Sequence, residues 1–141
     1  MKKYLYFAYG ANIDEFQFKK RCSNTEFISV IKLDNYEFQL DNSGVATIIS
    51  RKNSYVEGVL WCIDTHDLLN LDKFEGVDYG FYKRGYVKIH LDNKELSALC
   101  YFSLNKEACY PPYSGYMESI IKSAKNLNFS KEYIEWLKTW V

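Results

Sequence analysis

The chain of 141 residues is poor in several things, and each scarcity excludes something. It has 2 prolines, adjacent at Pro111 and Pro112, and 7 glycines. No Gly-, Ser- or Pro-rich stretch marks a linker, and no internal repeat or low-complexity tract is visible, so residues 1–141 read as a single domain. A chain of this length buries roughly two-thirds of the surface its unfolded form exposes, enough for a core without disulfide or metal staples. Charge of either sign is not in excess: 18 Lys and Arg balance 18 Asp and Glu. That balance removes the long-range pull on phosphates and anionic headgroups, and with it a nucleic-acid or membrane-surface partner. The longest apolar runs, Tyr4 to Tyr9 and Val56 to Ile63, fall far short of the ~20 residues needed to span a bilayer. With no signal-peptide pattern at the N-terminus, the expectation is a soluble, cytoplasmic protein.

Reactive-site signatures are scarce as well. Cys22, Cys62, Cys100 and Cys109 form no C-x-x-C pair and sit among apolar neighbours, as reduced cysteines acting as small hydrophobes do. His66 and His90 stand at no ligand spacing to any of them, so no metal site is expected. G-x-S-x-G, H-E-x-x-H, P-loop and G-x-G-x-x-G are all absent, leaving serine hydrolase, zincin, nucleotide-hydrolase and dinucleotide readings without their signals.

What is abundant is aromatic: 18% of the chain, with 13 tyrosines. Lys3 to Tyr9 predicts a strand stopped by Gly10. Asn12 is placed to cap a helix running to about Arg21, with Glu15 as reciprocal partner and Ile13 and Phe16 making apolar contacts. Four short strands follow at Glu26 to Ile31, Tyr36 to Leu40, Val45 to Ile49 and Tyr55 to Cys62, separated by turn formers at 34–35, 42–44 and 52–54. Asp64 or Thr65 caps a helix with Leu68, Leu69 and Leu71 inward, and Gly76 stands where a helix-ending glycine belongs. Asp92-Asn93-Lys94 joins Tyr82 to Leu91 with Leu96 to Leu104 as a hairpin. Tyr116, Ile120 and Ala124 repeat at helical spacing, and Ser130 begins a last helix with Tyr133, Ile134, Leu137 and Trp140 inward. Sequential strands with inserted and terminal helices predict an α+β domain on a curved, largely antiparallel sheet or small barrel.

Three features carry chemistry. At Tyr9-Gly10-Ala11-Asn12-Ile13 a strand gives way through glycine to a helix start, where freed N–H groups form a concavity suited to a carboxylate or oxyanion; such turns also contain glycine for conformation alone. Glu75 falls at a helix C-terminus, where the dipole disfavours a carboxylate, between Phe74 and Gly76-Val77. That apolar setting raises a carboxyl pKa toward neutrality and suits a general acid/base, although a solvated helix-end Glu is common. The tyrosines, without a basic groove, fit a pocket or a core better than a base-stacking platform.

Several segments together resemble the γ-glutamylcyclotransferase-like family. Tyr6-Phe7-Ala8-Tyr9-Gly10-Ala11-Asn12-Ile13 is similar to that family's strand and Tyr-Gly-Ser-Asn-Leu signature, with Ala11 for Ser and Ile13 for Leu. Gly44 to Ile48, Val56 to Trp61, and Leu71 to Val77 with Tyr82 following keep the family's order and approximate spacing, and Tyr116 to Ala124 with Glu132-Tyr133 resembles its C-terminal segment. The resemblance implies a small mixed, barrel-like β-sheet with packed helices, and release of 5-oxoproline and a free amine or amino acid from a small-molecule γ-glutamyl substrate, without cofactor. It implies Glu75 as the catalytic acid/base, Tyr9, Gly10, Ala11, Asn12 and Ile13 as the loop cradling the γ-glutamyl group, Tyr82 and Tyr116 as positioning or pocket-wall residues, and a homodimer by family habit. Ala11 removes the usual hydroxyl, and Ser123 stands where the family commonly has glycine. A non-catalytic γ-glutamyl or small-acid binding protein of the same fold is the rival reading, and a tyrosine-rich interaction module without a ligand is a third.

Overall fold

The computed structural model describes residues 2–104 and 111–141, so Cys109 lies outside the described residues. The remaining cysteines are free thiols, Cys22 and Cys100 buried and Cys62 partly so. Five strands, β1 (Lys3–Ala8), β2 (Glu26–Leu40), β3 (Ala46–Asp64), β4 (Tyr82–Leu91) and β5 (Lys94–Ser103), form one sheet in the order β2-β3-β1-β5-β4. All neighbours are antiparallel except β1 and β5, which run parallel through Tyr6 and Leu99. The sheet curls so that its two ends approach. The Tyr82 hydroxyl on β4 donates to the Ala46 carbonyl on β3 at 2.6 Å, and the Ser103 N–H on β5 donates to Thr47 Oγ1 at 3.1 Å. The result is the mixed, incompletely closed barrel of an α+β fold.

The four short strands expected between residues 26 and 62 are two long ones. Asn35 and Asn53 take positive φ of 66° and 67°, yet they irregularise the ladder rather than turn the chain. The register shifts between Asp34 and Tyr36, and the Asn53 N–H donates to Asn35 Oδ1 at 3.2 Å across the hairpin. A bulge needs only one such residue on a strand, and asparagine tolerates that conformation. The turn at 42–44 is a true one, with Asp41 Oδ1 accepting the N–H groups of Ser43 and Val45. The hairpin between β4 and β5 turns on Asp92 and Asn93, both at positive φ, as a two-residue turn between twisted strands requires.

The helices are α1 (Glu15–Arg21), α2 (Thr65–Phe74), α3 (Tyr116–Asn126) and α4 (Lys131–Lys138). Two details of the first helix depart from expectation. A 3₁₀ turn over Ala11–Ile13 precedes it, and Asp14 rather than Asn12 stands at its N-cap, without a side-chain capping bond. Asn12 is buried instead, because its amide has better partners inside. Phe16 is 71% exposed with the Lys20 ammonium 4.2 Å over its ring, whereas Ile13 does enter the core. In α2, Asp64 is the cap and forms a reciprocal capping box with Asp67, and Leu68 and Leu71 face inward. Leu69 points to solvent, since it stands two residues, about 200° of rotation, from both Asp67 and Leu71 on the buried stripe. Ser130 caps α4 by accepting the Tyr133 N–H, and Tyr133, Ile134 and Leu137 are buried, with Trp140 packed against the same core. One hydrophobic cluster, with Phe7, Phe18, Phe38, Trp61 and Tyr133 among its largest fully buried members, fills the barrel and the spaces beneath the helices.

Candidate active site

Where β1 runs out, α1 begins and α2 ends, a cavity of about 250 Å³ opens. Of the residues singled out in the sequence, Tyr9, Gly10, Ala11, Asn12, Glu75, Tyr82 and Tyr116 all line it. Ile13 does not, being 1% exposed and anchored in the core beneath the loop. The wall also contains residues that one-dimensional reading passed over: Tyr6, Gln17, Arg21, Val45, Ala46, Phe74, Tyr101 and Tyr113. Tyr6 lies an odd number of residues before Tyr9, an interval that in a regular strand points two side chains to opposite faces. Arg21 closes α1 among basic residues that look like ordinary helix-end charges. Only the convergence of the elements distinguishes them.

Glu75 is delivered by the way α2 stops. Its N–H still bonds the Leu71 carbonyl at 2.8 Å, while Gly76 turns left-handed at φ 65° and its N–H reaches the Lys73 carbonyl at 3.1 Å. A Cβ at Gly76 would meet the Phe81 ring at 2.5 Å, so both the backbone and the space demand glycine. Among the described residues the Glu75 carboxylate accepts no hydrogen bond and forms no ion pair within contact distance. Burial pushes it up from the ordinary 4.5 to about 7, and the Arg21 guanidinium opposes that rise.

The loop before α1 faces it. Among the described residues, the N–H groups of Gly10, Ala11 and Asn12 donate to no backbone carbonyl, whereas Ile13 bonds back to Gly10 at 3.1 Å. Gly10 lets the loop approach the start of β3, since a Cβ there would come within 3.1 Å of the Ala46 Cβ. Asn12 is locked on three sides. Its carbonyl accepts the Trp61 indole N–H at 3.0 Å, its Oδ1 accepts from Arg21 at 2.5 Å, and its Nδ2 donates to the Tyr6 hydroxyl at 3.0 Å. Arg21 in turn stacks 3.9 Å from the ring of Phe74, which with the exposed Tyr113 rims the cavity.

Six tyrosines line this space, and burial raises five of them, Tyr6, Tyr9, Tyr82, Tyr101 and Tyr116, further above neutrality, so that their hydroxyls stay protonated. Three have committed their proton to the protein: Tyr9 to the Tyr101 carbonyl at 2.6 Å, Tyr82 to Ala46 at 2.6 Å, and Tyr101 to Asp72 at 2.7 Å. Tyr6 and Tyr116 act as acceptors, from Asn12 and from the Ala46 N–H at 2.8 Å. Ala46 is thus gripped by tyrosines from both sides, which fixes the start of β3 as one wall. Among the described residues no group of three His, Cys, Asp or Glu is placed to hold a metal ion, and no described helix is long and apolar enough to cross a membrane. A cavity wall of tyrosines and backbone N–H groups, with the Arg21 guanidinium and one neutral-range carboxyl, is equipped to bind an acceptor-rich small molecule and to move a proton on it.

Residues 55–137, more than half of the chain, match the sequence model of the AIG2-like family. Human γ-glutamylcyclotransferase is 32% identical, with the alignment covering 97% of this chain and 78% of that protein. The chain belongs to the AIG2-like, γ-glutamylcyclotransferase family. The mouse γ-glutamylcyclotransferase is 30% identical over 96% of this chain and 77% of that one. A solved γ-glutamyl cyclotransferase structure superposes with a TM-score of 0.89 at 30% identity, covering 99% of this chain and 89% of the other. A yeast γ-glutamyl cyclotransferase specific to glutathione, at 12% identity and a TM-score of 0.69, shares the fold. The α+β fold on a five-stranded mixed sheet with packed helices is therefore one that this chain shares with the 30%-identical γ-glutamyl cyclotransferase structure.

Proposed function

We propose that this protein is a γ-glutamyl cyclotransferase, releasing 5-oxoproline and a free amine or amino acid from γ-glutamyl substrates. Family membership supports this reaction class, and the observation that carries the proposal is Glu75, a carboxyl held in the cavity without a hydrogen-bond partner among the described residues and raised by burial to about 7. In this reaction the substrate's own α-amine attacks its γ-carbonyl, so nucleophile and electrophile share one molecule and a folded conformation supplies much of the rate. Three proton movements remain. The α-ammonium, with a reference value near 8, must shed one proton to solvent to become a nucleophile, the attacking amine must lose a second as it bonds to the γ-carbon, and the departing nitrogen must gain one. Glu75 takes the proton from the α-amine as the ring N–C bond forms, and returns it to the leaving nitrogen as the original amide C–N bond breaks. The N–H groups of Gly10, Ala11 and Asn12, without an acceptor among the described residues, bind the substrate carboxylate or the oxyanion through backbone, which tolerates Ala11 where the family signature has Ser. Tyr82 and Tyr116 hold the wall at Ala46 and position the γ-glutamyl chain. A site that only had to bind an acid would be weakened by a buried carboxylate, which favours catalysis over the binding-protein reading.

The test is product analysis by mass spectrometry on wild type and Glu75→Gln, using a panel of γ-glutamyl amino acids and γ-glutamyl amines. Formation of 5-oxoproline by wild type alone is the expected result, and the preferred panel member identifies the leaving group. No 5-oxoproline from any member would return the protein to the binding reading.

A further inference from the structure

The hydrogen bonds around Asn12 have a direction, and it decides where one proton points. Arg21 can only donate, so Asn12 must present Oδ1 to it and Nδ2 to Tyr6. The orientation of the amide is therefore set by chemistry. Because Tyr6 Oη receives the Nδ2 hydrogen, its own single hydrogen must go elsewhere, and no described residue accepts it. Tyr6 is 4% exposed, so that hydrogen is not turned to bulk water. The side of the hydroxyl left open is the cavity that Tyr6 lines.

Which substrate atom lies there follows from the reading above, on which this inference rests. Glu75 must reach the attacking α-nitrogen and the leaving nitrogen, both of which are bonded to the γ-carbon in the tetrahedral intermediate, so the γ-carbon sits beside Glu75. Among the charged neighbours of Tyr6, Glu75 acts most strongly, whereas Tyr116 feels Tyr113 more than Glu75. No hydrogen bond joins Tyr6 to Glu75 itself, leaving the hydroxyl proton free for a third party between them. We propose that Tyr6 is a catalytic residue, its hydroxyl donating to the γ-carbonyl oxygen as that oxygen becomes an oxyanion, with Asn12 and Arg21 as the positioning residues that aim it. The electron pair of the C=O bond moves onto oxygen when the α-nitrogen adds, the Tyr6 proton stays on Tyr6 and is shared with that oxygen, and the pair returns when the leaving nitrogen departs with the proton from Glu75. The loop N–H groups are then free for the substrate's α-carboxylate.

Two variants test this by different routes. Tyr6→Phe removes only the hydroxyl, and kcat should fall about 10²-fold with KM within about threefold, the signature of a lost oxyanion donor. Asn12→Asp keeps the contact with Arg21 but replaces the amide donor with an acceptor. Tyr6 must then donate to the new carboxylate, its proton leaves the cavity, and kcat should fall comparably on the alkaline plateau of that variant's pH profile. The double variant should be no worse than the worse single one, an interaction that two merely structural losses would not show. A Tyr6→Phe enzyme within twofold of wild-type kcat overturns the proposal. Binding of 5-oxoproline, whose lactam oxygen is the former γ-oxygen, is measured alongside by calorimetry, with proline as the analogue lacking that oxygen. Tyr6→Phe should weaken 5-oxoproline several-fold and leave proline unchanged. Should wild type turn over no γ-glutamyl substrate, the cyclotransferase reading fails, and Tyr6 is still judged: equal or absent 5-oxoproline binding in the two proteins overturns its role.

Discussion

The two ends of α2 hold carboxylates in opposite states. At the N-terminus Asp64 and Asp67 are buried and fully engaged: Asp64 accepts the Asp67 N–H at 2.8 Å and the Asn24 amide at 3.1 Å, and Asp67 accepts the Asp64 N–H at 3.3 Å. Those bonds, the backbone N–H of Asp67 first, hold the Asp64 carboxyl below its ordinary value. At the far end of the helix, Glu75 meets the other pole, where carbonyls and not N–H groups are unpaired, so no backbone donor offsets its burial, which raises it to about 7. The same functional group is a structural anion at one end and a proton carrier at the other. Burial alone does not decide the outcome; the supply of donors does.

The sharpest way to break the comparison is at Glu75. Glu75→Gln should lower kcat roughly 10²–10⁴-fold, the usual value of a positioned acid/base, and should at the same time raise thermal stability. The sign follows from linkage. Below the ordinary 4.5 both states are protonated; from there to about 7 the unfolded chain ionises first and the native state loses ground; above 7 the deficit is constant. Glutamine should therefore match wild type in acid and gain about 1–3 kcal/mol above neutrality, read as the difference between urea curves across pH. An equal Tm at every pH would remove the basis for a raised carboxyl.

At the opposite end, Asp67→Ala should destabilise by about 2 kcal/mol, since it leaves the Asp64 N–H buried without its acceptor and breaks the capping box. Turnover per folded molecule should hold, because nothing of Asp67 reaches the cavity. Asp64 should behave oppositely to Glu75 in acid: its contribution is present above its ordinary range and lost as pH falls through its lowered value.

The smallest effect concerns tuning. Arg21 is the cation that opposes the rise of Glu75, so Arg21→Gln should move the acid limb of the kcat/KM profile to higher pH. A limb that stays in place would mean that Arg21 acts on Asn12 alone.

Much of this was legible in the sequence where the signal is local. The broken helix rule at Glu75, the cap at Asp64, the glycine at 76 and the hairpin at 92–94 all depend on neighbours within one turn, and each stands where it was expected. Asn12 misled for the same reason: judged by its neighbours alone it is a good cap, and only the approach of Tyr6 and Arg21 offered its side-chain amide more than a helix end could. Asn35 and Asn53 misled because positive φ marks bulges as well as turns, and the choice depends on the strand opposite. The parallel pairing of β1 with β5, and the assembly of Tyr6, Arg21, Phe74 and Tyr101 around one cavity, have no local signature at all.

Gly76 carries a consequence for variation. A left-handed backbone and an aromatic ring 2.5 Å from the missing Cβ leave one kind of amino acid acceptable there. In a library randomised at both positions, 75 should lose activity while keeping folded protein, whereas 76 should lose folded protein and activity together. The position that contributes no atom to the chemistry is the one at which the helix end, and with it the aim of the carboxylate, has no freedom to drift.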